Sequence, residues 1–232
     1  MASAKDIFKP ALIVVDVQDD FCPPNGTLAV PNGRAIIPTV NHLLTLPFAV
    51  KIATKDWHPR DHISFASNHV GKRPFVDFTT VVNPENPEET YETRLWPDHC
   101  IQNTSGAELL SELDVRGVDL VVEKGMRREV EMYSAFFDPL KSPRACDSGL
   151  ADVLRERGVT DVFVVGLAFD YCVQATAMDS KAEGFTTCVV REGTKAVDEG
   201  TWGTVETSLE DVGVKVVGLD GEEVRRVKER VL

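Results

Sequence analysis

Residues 11–15 (ALIVV) are apolar without interruption and stop abruptly at Asp16. Such a run, bounded by polarity rather than alternating with it, predicts a strand buried on both faces of a parallel sheet. Comparable runs over 48–54, 119–125, 161–166, 186–190 and 214–217 predict five more strands. Helical spacing falls between them: 34–46; 105–113, where Ser105 and Glu108 have capping-box spacing; 148–157, stopped by Gly158; 171–183, with Gly184 at the position of a left-handed cap; 204–209 as part of a helix; and 222–231. Strands alternating with helices imply βαβ units with right-handed crossovers. The expected fold is α/β, a doubly wound, mainly parallel six-stranded sheet of order 3-2-1-4-5-6 with helices on both faces.

One stretch resists this pattern. From Lys55 no strong helix or strand signal returns until Ser105, a connection far longer than the usual 4 to 6 or so residues. It holds four of the five histidines with Trp57, Phe65, Phe75, Phe78, Tyr91 and Trp96, too aromatic for a disordered linker. A long functional loop over about 55–104 is expected within a single domain spanning 1–232. No composition break or repeat divides the chain.

The net charge of −12 argues against nucleic acid and anionic membrane as partners, since both require a basic surface. A small molecule is the expected ligand. The five cysteines lack CxxC spacing and suggest neither a disulfide framework nor a four-thiolate zinc site, which fits a reducing compartment. Residues 1–6 carry no apolar signal core, no run reaches transmembrane length, and Arg230-Val231-Leu232 is no common peroxisomal address. The cytoplasm is the expected location; a nuclear one, and a homo-oligomer, are compatible with the same features.

In a doubly wound sheet, ligands bind where the strand order reverses, beyond the carboxyl ends of the strands. Asp16, Asp56, His58, Lys124 and Cys172 all fall at such ends. A free cysteine is most often a small buried hydrophobe, but Cys172 sits at a strand-to-helix junction, where the helix dipole favours a thiolate. In the expected order, strands one and four are neighbours, so Asp16 faces Cys172. Lys124 then adds positive charge that favours the thiolate, and Asp16 can take and return the proton. Asp56 and His58 have the Asp-x-His spacing that points two ligands to one side of an extended segment. A third ligand could come from His62, His69 or His99; His99 is the best candidate, fixed by Trp96 and Pro97. Singly, each residue reads as a turn, cap or surface group; jointly Asp16, Lys124 and Cys172 point to an activated nucleophile, whereas the spacing of Asp56 and His58 taken alone fits a surface pair better than a metal site.

ALIVVDVQDDF (11–21), KDWHPRDHISF (55–65), WPDHCIQNT (96–104), Lys124-Gly125, YSAF (133–136) and GLAFDYCVQAT (166–176) together resemble the cysteine hydrolases related to isochorismatase, and within them the nicotinamidases, also called pyrazinamidases, of the fungal type. The resemblance covers nearly the whole chain. It implies a triad of Cys172, Asp16 and Lys124, and one divalent transition metal ion, zinc before iron or manganese, on Asp56, His58 and His99. It also implies a cis peptide between Leu167 and Ala168, an oxyanion hole from the N–H groups of Ala168 and Cys172, and a ring pocket of Phe21, Trp96, Tyr133 and Leu167. In some relatives a further group from the loop after His58 reaches the metal, a place Ser64 could fill. The activity implied is hydrolysis of nicotinamide to nicotinate and ammonia in NAD salvage, with pyrazinamide as a second substrate. The competing readings are a metal-independent hydrolase of another small amide or enol ether, and a non-catalytic binder of a pyridine-like ligand.

Overall fold

The computed structural model describes residues 8–230. The sequence readings at residues 1–6 and beyond residue 230 lie outside that range. Eight strands and five α-helices follow in order: β1 (Pro10–Val15), α1 (Ile37–Thr45), β2 (Val50–Asp56), β3 (Phe78–Asn83), β4 (Asn86–Arg94), β5 (Leu120–Lys124), α2 (Leu150–Glu156), β6 (Asp161–Leu167), α3 (Gln174–Ala182), β7 (Thr186–Lys195), α4 (Trp202–Asp211), β8 (Lys215–Val217) and α5 (Glu222–Lys228). Six strands form a parallel sheet of order β5-β2-β1-β6-β7-β8. Counted along the chain within that sheet, this is the expected 3-2-1-4-5-6.

The continuous apolar runs are explained by the two layers the sheet separates. Leu12 and Val14 of β1, with Phe163 and Val165 of β6, face a core shared with Val40 and Leu43 of α1 and with Val224 and Val227 of α5. Ala11, Ile13 and Val15, with Val162 and Val164, face the opposite core, which takes Leu154 of α2, Ala177 of α3 and Leu209 of α4. Side chains alternate across a strand, so both faces are apolar only where both are covered. Each fully buried Val, Leu or Ile stabilises by roughly 1.5 to 3 kcal/mol relative to exposure.

Two segments differ from the sequence expectation. Within 55–104 the chain forms an antiparallel hairpin of β3 and β4. Its strands carry Glu88, Glu89, Glu92 and Pro87 and are largely exposed, so neither alternation nor a buried run marks them. They are held instead by Val81, packed on Val130 and Leu140, and by the Tyr91 hydroxyl, which donates to the Glu131 carbonyl at 2.7 Å. Residues 105–113 form a single 3₁₀ turn, Ser105–Ala107, rather than a helix. Glu108 O accepts from Asp19 N at 3.0 Å, and Leu110 N donates to Val17 O at 2.9 Å. The backbone groups a helix would pair internally are thus spent on the segment after β1. No helix among the described residues is long and apolar enough to cross a membrane.

The reversal of strand order falls between β1 and β6, where Val15 is opposite Gly166. Gly166 has φ of 112°, and a Cβ there would lie 2.0 Å from Val15 O. The close approach of the two strands that end at the site therefore requires glycine. Gly166→Ala is expected to lower unfolding stability by about 2 to 4 kcal/mol through backbone strain and overpacking. Urea titration reads this; a loss under about 1 kcal/mol would show that the strands separate at no cost.

Candidate functional site

Strand register brings the charged groups together. Asp56 is the parallel partner of Lys124 across β2 and β5, and both side chains are buried. Asp16 follows β1 with φ of 48°, a left-handed conformation that Asp tolerates better than most residues, and its N–H donates to Thr54 Oγ1 at 3.1 Å. That turn aims the carboxylate at Lys124. Thr54 Oγ1 in turn donates to Asp16 Oδ1 at 2.6 Å. Asp16 Oδ2 accepts no well-aligned hydrogen bond and meets Lys124 Nζ as an ion pair at 2.9 Å.

Lys124 Nζ also donates to Asp56 Oδ1 at 2.5 Å, to Met132 O at 3.3 Å and to Cys172 Sγ at 3.5 Å. One carboxylate oxygen each of Asp16 and Asp56 and the Cys172 sulfur lie within 4.8 Å of one another. Cys172 lies in a π-helical turn, Phe169–Val173, directly before α3. Tyr171 N and Val173 N both donate to Ala168 O at 3.1 Å. The peptide between Leu167 and Ala168 is cis, as the resemblance implied.

The electrostatics differ from the expectation of a resting thiolate. Burial raises the Cys172 thiol well above its usual range; Lys124 pulls it down, but Asp16 and Asp56 push it back up. Lys124 itself is held well above its ordinary value, because the two carboxylates outweigh the cost of burying it. Its charge is already spent on them. Burial pushes Asp16 up to about 6 against the pull of Lys124. For Asp56, burial also works upward, but Lys124, His58 and His99 prevail and hold the carboxyl far below the usual range. Cys172 therefore rests as a thiol beside a carboxyl poised near neutrality, the pairing general-base catalysis uses.

On the other side of Asp56, His58 Nε2 and His99 Nε2 lie 3.5 and 4.0 Å from Oδ2. His58 Nδ1 is 2.8 Å from Gly125 O, and His99 Nδ1 is 2.8 Å from Pro97 O. Each Nδ1–H thus donates to a carbonyl and leaves Nε2 turned toward Asp56, as metal-binding imidazoles do. His58 Nε2 is buried and without a hydrogen-bond partner. Burial and the neighbouring His58 lower His99 to about 4, so its ring is neutral. One donor atom from each of Asp56, His58 and His99 lies within 4.8 Å of the others. This donor set fits a divalent metal ion.

The other histidines fall elsewhere. His62 stacks on His58 with ring centroids 4.1 Å apart, and its Nδ1 bonds Ser64 Oγ at 2.8 Å. Ser64 Oγ is thus engaged by His62, the ring stacked on His58. His69 Nε2 is tied to Ile63 O at 2.7 Å.

A cavity of about 340 Å³, counting the space open to solvent, lies over Cys172, Ala168, Asp56 and His99. Phe21, Trp96 and Tyr133 line it, as the resemblance implied. Trp96 Nε1 donates to Tyr133 Oη at 3.0 Å, and Phe21 packs on His99 with ring centroids 5.4 Å apart. Leu167 does not line it: its side chain is fully buried in the core between the sheet and α1, beside Gly33. Sequence reasoning missed Leu28, Val30, Tyr171 and Val197, which complete the wall. Tyr171 alone carried a signal, as an aromatic next to the nucleophile.

A family model described as Isochorismatase domain matches residues 10–220. The nicotinamidase of Acinetobacter baylyi is 45% identical over 188 residues, covering 81% of this chain and 82% of its own. Among solved structures, the yeast nicotinamidase bound to the inhibitor nicotinaldehyde matches with a TM-score of 0.84 at 32% identity, over 90% of this chain and 99% of that one. The pyrazinamidase of Pyrococcus horikoshii in complex with zinc matches with a TM-score of 0.69 at 33% identity, over 90% and 99%.

If Lys124 is neutralised by its two carboxylates, Cys172 in chelator-treated protein should be alkylated by iodoacetamide at a rate that rises about a hundredfold from pH 7 to pH 9, without levelling. Peptide mapping assigns the label. A plateau below pH 8 would mean that Lys124 holds the thiolate after all.

Proposed function

The chain belongs to the isochorismatase-domain family, and from that premise we propose that it is a metal-dependent nicotinamidase, hydrolysing nicotinamide to nicotinate and ammonia in NAD salvage and pyrazinamide by the same route. The observation that carries the reading is the adjacency of two constellations through Asp56: one oxygen binds Lys124 of the Cys172 group, the other faces the two imidazoles. The metal-independent hydrolase leaves those imidazoles and the buried His58 Nε2 without a role. The non-catalytic binder leaves the Asp16, Lys124 and Cys172 contacts without one.

In the mechanism we assign, Phe21, Trp96 and Tyr133 enclose the ring and exclude water, placing the carboxamide carbon over Cys172. Asp16 takes the thiol proton as sulfur bonds to that carbon, with Lys124 steadying the negative charge that remains. The oxyanion of the tetrahedral intermediate receives the N–H groups of Ala168 and Cys172, each such donor contributing about 2.7 to 4 kcal/mol. Asp16 then returns the proton to the nitrogen, the C–N bond breaks and ammonia leaves a thioester. A water attacks the thioester carbon with Asp16 again as base; the C–S bond breaks, the sulfur regains its proton from Asp16, and nicotinate departs. Asp56, His58 and His99 would hold a divalent ion, zinc first with iron or manganese able to use the same donors, which supplies a Lewis acid to anchor a pyridine nitrogen.

Ammonia release from nicotinamide tests the assignment. The wild-type protein should turn over, with kcat/KM falling as pH drops below about 6, because protonated Asp16 (raised to about 6) cannot accept the thiol proton. Cys172→Ala should stay folded by circular dichroism and lose at least about 1,000-fold in rate. Near-normal turnover in folded Cys172→Ala, or a rate independent of pH down to 4.5, would reject these roles.

Elemental analysis tests the ligand set independently of activity. Wild-type protein is expected to carry about one divalent ion per chain, His58→Ala and His99→Ala much less, and His69→Ala as much as wild type. Undiminished metal in His58→Ala would exclude the set.

A further inference from the structure

Beyond the ring cavity lies a second chamber, about 930 Å³ including the space open to solvent, that shares Trp96, Tyr171 and Val197 with it. We propose that this outer chamber is a substrate subsite for a short neutral or cationic group carried at C5 of the pyridine ring, and that it disfavours an anion there. The inference rests on the nicotinamide reading above. It names a substrate class that reading does not require.

Ring geometry selects the position. On that reading the carboxamide on C3 is anchored at Cys172 and Ala168, just after β6, and the ring nitrogen is directed toward Asp56, at the end of β2, and His99, in the loop after β4; all four line the cavity and are taken as its floor. The carbon between those two anchors, C2, faces the floor. C5 is directly across the ring from it, points away from that floor and is set, in this proposal, against Trp96, Tyr171 and Val197, the residues that line both spaces. A short substituent there need pass only between Trp96, Tyr171 and Val197. Tyr171 is half-buried and packs edge-on against Trp96 with centroids 4.8 Å apart, so it forms part of the divider rather than of the core.

Charge selects the class. The outer chamber is lined by Arg94, Asp170 and Asp198 together with Phe75, Thr201 and Thr204. The single guanidinium is occupied: Arg94 donates to the Phe75 carbonyl and lies over the Phe78 and Trp96 rings at 5.0 and 6.0 Å. The two carboxylates are fixed by backbone, Asp170 accepting from Val197 N and Asp198 N at 2.8 and 3.0 Å, and Asp198 accepting from Gly200 N at 2.9 Å. Those hydrogen bonds hold the carboxylates in place and leave their charge. Two fixed negative charges against one engaged cation, on a chain of net charge −12, disfavour an anionic substituent and favour a cationic one.

The test compares nicotinamide with its 5-aminomethyl and 5-carboxylate derivatives. Thr204 is exposed and lines the outer chamber but not the ring cavity, so Thr204→Trp fills the subsite without touching the ring cavity. Wild-type kcat/KM should be at least about tenfold higher for the aminomethyl compound than for the carboxylate. Thr204→Trp should raise KM for the aminomethyl compound at least about tenfold with kcat little changed, and leave nicotinamide within about twofold. Asp198→Asn should narrow the preference for cation over anion. Equal effects of Thr204→Trp on both compounds, or a carboxylate turned over as well as the amine, would overturn the subsite. Calorimetric binding of the aminomethyl compound separates this from failure of the parent reading. Should nicotinamide not be hydrolysed, about tenfold weaker binding to Thr204→Trp than to wild type still supports the subsite, and equal binding overturns it.

Discussion

A single buried ammonium holds the site together. Lys124 Nζ meets Asp16, Asp56 and Cys172 at 2.9, 2.5 and 3.5 Å, and all four residues are buried. Taking either carboxylate out of water without a partner would cost several kcal/mol, and removing one member of a buried ion pair typically costs about 3 to 5. Lys124 cannot compensate two carboxylates and also ionise the thiol. The outcome is a division of labour. Asp56 stays charged and faces the imidazoles, Asp16 is left close to its titration point, and Cys172 is pushed toward the thiol. A permanently ionised cysteine would need no base; this site is built around one.

That arrangement depends on the sheet more than on any loop. Asp56 and Lys124 are register partners, and β1 and β6 approach closely only because Gly166 lacks a side chain, which sets Asp16 beside the turn that carries Cys172. Gln18 ties the two strand ends together: its Oε1 accepts from Asp56 N, and its Nε2 donates to Asp56 O and Ala107 O, at 2.8, 2.8 and 2.9 Å. The chain after β1 is thereby locked to the chain after β2, and Asp56 is presented between Lys124 and the imidazoles of His58 and His99.

Much of this was legible in sequence for physical reasons. Strands buried on both faces have to be apolar throughout, so β1 and β6 announce themselves, and a charge at the end of such a run stands out. The order of the sheet follows the doubly wound fold class, and it sets the ends of β1 and β6 side by side, which brings Asp16 to Cys172. The β3–β4 hairpin was illegible because its exposed strands are free to carry Glu and Pro. The turn at Ser105–Ala107 was misread because a capping-box pattern describes a local preference, and pairing of Leu110 with Val17 overrides it. Leu28, Val30 and Val197 carried no signal, since an aliphatic residue in a loop looks the same whether it lines a pocket or fills a core. Leu167 is the converse, adjacent to the site in sequence and buried away from it. From sequence, Lys124 favours the thiolate and Asp16 takes the thiol proton; what sequence does not show is the depth of burial and the second carboxylate, Asp56, that shares Lys124 and pushes Cys172 toward the thiol.

The central claim is that the Cys172 sulfur bonds to the carboxamide carbon. Rapid acid quench of the protein mixed with nicotinamide labelled at the carbonyl, followed by peptide mapping, tests it most directly. The label is expected on the peptide containing Cys172, as a thioester that hydroxylamine releases, and is expected to be absent from Asp16→Asn. Label on another residue, or full turnover with no label on Cys172 at any quench time, would contradict the account.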